Sequence, residues 1–113
     1  MAYEVKGKVF ETTETGYLVS QDDWNKEVAD AIAAVEGLAL GQDHWDLIEY
    51  LRDAYFNHNG EQPNNRAILK AMQEKWAGRK IDNKTLFDLF PGNPSKQAGK
   101  IAGLPESMRK GGY

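Results

Sequence analysis

The chain of 113 residues has no cysteine. That absence removes disulfides, thiolate metal sites and every mechanism that runs through a thiol. Histidine is almost as scarce: His44 and His58 lack the short spacing of a metal pair on one helix face, and both read as surface or boundary residues. Neither a metal nor a cofactor is expected. Long apolar runs are missing too, the longest falling far short of the roughly 18 residues that cross a bilayer. The start, MAYEVKGKVF, is strand-like and has no h-region, so a cytoplasmic location is the default expectation. There is no internal repeat, Gly-rich phosphate loop, GxSxG elbow or HExxH pair. The paired carboxylates Asp22-Asp23 and Asp43-Asp46 fall where helices begin, where capping and the helix dipole favour acids.

What is present suits one small core. A chain this long buries somewhat over ~60% of its unfolded surface, and three Trp, five Tyr and four Phe supply large pieces for it. The net charge of −3 conceals a division. Residues 1–61 carry 13 acidic and 4 basic side chains (−9), whereas residues 62–113 carry 4 acidic and 10 basic ones (+6). A basic C-terminal half is a footprint for an acidic partner or for nucleic acid.

Periodicity predicts a mostly helical α+β fold. Tyr3, Val5 and Val9 alternate with charged residues, and with Tyr17-Leu18-Val19 they predict a β-hairpin turning near Thr13 to Gly16. Ser20 or Asp22 then caps a helix whose apolar face is Trp24, Val28, Ile32 and Val35, closed by Gly37. A second helix begins at Gln42 or Asp43, carries Trp45, Ile48, Leu51 and Tyr55 along one stripe, and ends near Asn59-Gly60. Pro63 and Asn64 open a third with Ile68, Ala71, Met72 and Trp76 inward, ended by Gly78. Asp82 caps a short fourth helix, and Pro94 or Ser95 starts a fifth that runs to Ala102 before Gly103. The ending, ESMRKGGY, lacks apolar periodicity, so the expected division is a body of residues 1–105 and a flexible arm of residues 106–113. The third and fourth helices with the turn between them have the outline of a helix-turn-helix, in which Arg79, Lys80 and Lys84 would meet phosphates.

Several islands occur together in one order. They are Asp23-Trp24, His44-Trp45-Asp46, Leu51-Arg52, Phe90-Pro91 and the segment PGNPSKQAGKIAGLP at 91–105. In them the chain resembles the DsrC/TusE family over nearly its whole length. The resemblance implies an N-terminal β-hairpin packed on an orthogonal helical bundle with a helix-turn-helix-like part and a flexible C-terminal arm. It also implies a sulfur-carrier role, either beside dissimilatory sulfite reductase or in the relay that supplies sulfur for tRNA 2-thiouridine. Family carriers depend on a penultimate cysteine, and the sulfite-reductase type adds one upstream. In this chain those positions are Gly112 and Gly99. Glycine cannot form a persulfide, and neither can a methionine thioether. The expectation is therefore a protein that is not an enzyme and acts by binding or regulation in sulfur metabolism. Its partner would be a protein, such as the sulfite reductase or a sulfur-relay complex, and its contacts Lys96, Lys100, Arg109, Lys110 and Tyr113. The alternatives are a sulfur-relay component in the family's own manner and a helix-turn-helix DNA-binding regulator.

Overall fold

The computed structural model describes residues 2–106. Strands β1 (Ala2–Val5) and β2 (Lys8–Glu11) form an antiparallel hairpin. A short 3₁₀ turn at Gln21–Asp23 leads into five helices: α1 (Lys26–Val35), α2 (Gln42–Asn57), α3 (Asn65–Lys75), α4 (Asn83–Leu89) and α5 (Pro94–Ile101). The α+β, mostly helical fold expected from the sequence is the one observed.

The hairpin turns earlier than its alternation predicts. Lys6 (φ 51°) and Gly7 (φ 82°) both adopt left-handed backbone, giving a two-residue turn that matches the twist of paired strands. This reverses the phase of the side chains. Tyr3 now faces Phe10 across the ladder and both are buried, while Val9 lies on the other face and is 59% exposed. Thr13 to Gly16 form a second turn, which brings Leu18 back to bridge Thr12.

The first helix is closed at Gly37 (φ 80°) as expected but differs at its start and along its buried face. The 3₁₀ turn absorbs Gln21 to Asp23, and Asn25, not Ser20 or Asp22, caps α1 by accepting from the Val28 amide at 2.9 Å. Trp24 is thereby left outside the helix, and Val35 is 64% exposed because the buried face is Val28, Ala29, Ile32 and Ala33. The other helices start and stop where local signals place them. Asn64 accepts from the Ala67 amide and Asp82 from the Thr85 amide, and Asn59, Gly60, Gly78 and Gly103 have positive φ beyond the ends.

Helix α5 is the hub of the bundle. Although only eight residues long, it packs against α1, α2, α3 and α4. A small side chain helps here: Ala98 is fully buried in its middle, between buried Pro94 and Ile101. Its C-terminus closes as a Schellman motif, in which the Gly103 amide donates to the Lys100 carbonyl at 3.1 Å and the Leu104 amide to the Gly99 carbonyl at 3.0 Å.

Gly103 is required twice over. Its φ of 76° disfavours any side chain, and a Cβ there would overlap the Trp24 ring. Gly7 has a similar φ but open space around it. Gly103→Ala is therefore expected to cost about 3 kcal/mol, from strain and steric displacement together, and Gly7→Ala about 1 kcal/mol. Urea unfolding of the two variants beside the parent checks this, and equal losses would refute the Trp24 contact as the cause.

Candidate functional site

The segment that the sequence singles out lies where α5 ends. Gly99 faces a small recess of about 20 Å³, room for roughly one water, bordered by Tyr17, Leu51, Gln62, Pro63, Ser95, Lys96, Leu104 and Pro105. Apart from its chain neighbours and the backbone of its own helix, no atom lies within 4 Å of where its Cβ would stand, and its backbone is ordinary right-handed helix. Packing thus does not demand glycine at this position.

Lys96 and Lys100 sit one turn apart on α5 and differ in their engagements. The Lys100 ammonium lies 3.6 Å from the Glu36 carboxylate and 5.4 Å from the Tyr17 ring centre, with only 19% of its side chain exposed. Lys96 is half-buried at the edge of the recess, and its backbone carbonyl accepts from the Tyr17 hydroxyl at 3.2 Å. Burial, with the carboxylates of Glu106 and Glu36 adding to it, pushes the Tyr17 hydroxyl up to about 12, so it remains a donor at any physiological pH. Arg109, Lys110, Gly112 and Tyr113, with most of the arm, lie outside the described residues.

Three of the islands meet at the end of α5. The Trp24 indole N–H donates to the Ile101 carbonyl at 2.8 Å, and Arg52 donates to the Ala102 carbonyl at 2.6 Å. The Arg52 guanidinium is stacked 3.8 Å from the Trp24 ring centre and 4.8 Å from that of Phe56. Asp23-Trp24, Leu51-Arg52 and the AGLP segment are therefore one structural unit. Residue spacing alone did not nominate Trp24 or Arg52 as functional; the available signal was their membership of separate islands.

The residues considered for nucleic acid are arranged differently. Arg79 makes a two-pronged ion pair with Asp43 at 3.0 and 2.8 Å, tying the segment after α3 to α2. Lys84 pairs with Asp88 on its own helix at 2.9 Å. Lys80 lies exposed before α4. No group of three His, Asp or Glu side chains among the described residues is placed to hold a metal ion. Among the described residues, no helix is long and apolar enough to cross a membrane.

A family model described as DsrC like protein matches residues 4–109. The chain belongs to this family. Sulfurtransferase TusE of Escherichia coli O6:H1 is 40% identical over 104 residues, covering 92% of this chain and 94% of the relative. The solution structure of Allochromatium vinosum DsrC superposes with a TM-score of 0.85 at 40% identity, covering 96% of this chain and 98% of that one. The oxidised gamma-subunit of the dissimilatory sulfite reductase (DsrC) from Archaeoglobus fulgidus does so with a TM-score of 0.86 at 32% identity and the same coverage. These likenesses correct one expectation. The missing thiols alone suggested a chain outside the enzymes, yet its TusE relatives are named sulfurtransferases. A nucleophile missing from one chain does not decide what an assembly transfers.

Asp43 and Asp46, expected as helix caps, serve tertiary contacts. Gly41 occupies the cap of α2, its amide donating to His44 Nδ1 at 3.0 Å. The hydrogen bond from Arg79 holds the Asp43 carboxyl below the usual carboxylate range, and the Trp76 indole N–H, 2.8 Å away, does the same for Asp46, with Gln42 assisting. A lowered folded-state value means stabilisation that is present above the unfolded value of 3.8 and fades as pH falls through the folded one. Asp46→Asn keeps an acceptor for Trp76 but loses the charge. It is expected to cost about 1 kcal/mol at pH 7 and less at pH 3. Urea unfolding at both pH values checks this, and an equal loss at each would refute the charge-based account.

Proposed function

We propose that this chain is a docking member of the DsrC/TusE sulfur relay. It seats on a protein partner, dissimilatory sulfite reductase or a sulfur-relay complex, and any sulfur that moves is held on the partner's thiols. Residues 1–105 form the body, with Lys96 and Lys100 beside the contact, and residues 106–113 form an arm in which Arg109, Lys110 and Tyr113 reach the partner.

One observation carries this reading. The overall fold is that of the family, while the backbone at Gly99 could accept a side chain and has none. What such a chain retains is shape, charge and a terminal segment, which are the requirements of binding. Glycine at both Gly99 and Gly112 leaves no thiolate for a persulfide. The positive balance of residues 62–113 supports an acidic counterpart on the partner.

Two measurements test the reading. Removal of residues 106–113 is expected to weaken binding to purified dissimilatory sulfite reductase or to a sulfur-relay complex by at least about tenfold, or about 1.4 kcal/mol, in calorimetric titration. Unchanged affinity would reject arm docking. Gly99→Cys is expected to fold as the parent does and, after incubation with a persulfide donor, to gain about 32 Da, one sulfur atom, in the mass spectrum. The same gain on the unaltered chain would overturn the proposal that sulfur rests on the partner.

A further inference from the structure

Between Ile101 and Glu106 the chain is held by four side chains from four separate places. Trp24, ahead of α1, donates to the Ile101 carbonyl at 2.8 Å, and Arg52 of α2 to the Ala102 carbonyl at 2.6 Å. Gln62, between α2 and α3, donates to the Pro105 carbonyl at 2.8 Å, and Thr15, in the second turn, to the Glu106 carboxylate at 2.6 Å. Each contact spans a long stretch of sequence, so each exists only because the tertiary fold brings its partners together.

We propose that Thr15, Trp24, Arg52 and Gln62 are positioning residues that aim the terminal segment, fixing the direction in which the chain leaves the body at Glu106. The purpose assigned to them rests on the docking role proposed above.

Helix capping accounts for only half of this arrangement. The Schellman motif already occupies the Gly99 and Lys100 carbonyls, and Trp24 and Arg52 satisfy the next two orphan acceptors. Pro105 and Glu106 lie beyond the helix, and holding them adds no hydrogen bond to it. Leu104 is buried and Pro105 restricts its own φ, so the segment is both plugged into the core and stiffened before it leaves. Arg52 is also placed with more control than a cap needs, its planar fork confined between the Trp24 and Phe56 rings. A terminal segment without a task could fray from Gly103 onward. A segment that must enter a partner's cleft binds more tightly when its first residues have already lost their freedom.

The anchors beyond the helix supply the test. In the double variant Thr15→Val with Gln62→Leu, the thermal midpoint is expected to stay within about 2 °C of the parent, since the helix end and core are untouched. The order parameter of the Glu106 amide, from ¹⁵N relaxation, is expected to fall from about 0.8 to below about 0.6. Affinity for purified dissimilatory sulfite reductase is expected to fall about tenfold in the full chain and not at all in a chain lacking residues 107–113. Three results would each overturn the inference: a Glu106 amide already below about 0.6 in the parent, an amide unmoved by the double variant, or equal losses of affinity at both chain lengths. If removing residues 107–113 alone leaves affinity unchanged, the docking role falls, and the relaxation result still decides whether the exit is pinned.

Discussion

The structure depends on how a helix of eight residues can sit at the centre of a bundle and still end cleanly. Helix α5 touches every other helix, so its carbonyl end must be satisfied inside the protein rather than by water. The fold meets this with a Schellman turn at Gly103, whose missing side chain admits the Trp24 ring, and with two donors from elsewhere in the chain. Ring, guanidinium and glycine are mutually dependent. A side chain on Gly103 would displace Trp24, and without Trp24 the Arg52 guanidinium would lose the nearer of its two stacking partners.

This constraint links the bundle to function. Leu104 and Pro105, which follow the closed end of α5, border the recess at Gly99 together with Lys96 and Gln62. The helix at Gly99 and the core around it are complete without a cysteine anywhere in the chain.

Much of the fold was legible because helix ends are local events. Asn64 and Asp82 cap by bonding an amide three residues on, and Gly37, Gly60, Gly78 and Gly103 adopt left-handed backbone where helices stop. The errors came where two local readings competed. The alternation of Tyr3, Val5 and Val9 spoke for a continuous strand, but Lys6-Gly7 folds into a tight turn once Tyr3 and Phe10 share a buried face. At α1, the 3₁₀ turn moved the cap to Asn25 and freed Trp24 to reach α5. The acids read as caps of α2 were instead recruited by Arg79 and Trp76, partners thirty or more residues away.

The sequence by itself determined the covalent chemistry open to this protein: with no cysteine, no residue can carry a persulfide, whatever the fold. It also determined the helices, since capping and periodicity act over three or four residues. Only the tertiary structure decided that Trp24, Arg52, Gln62 and Thr15 converge on one short stretch of chain. The reason is that their separations along the chain are set by the path of the elements between them, and no spacing rule encodes that path before the core has formed.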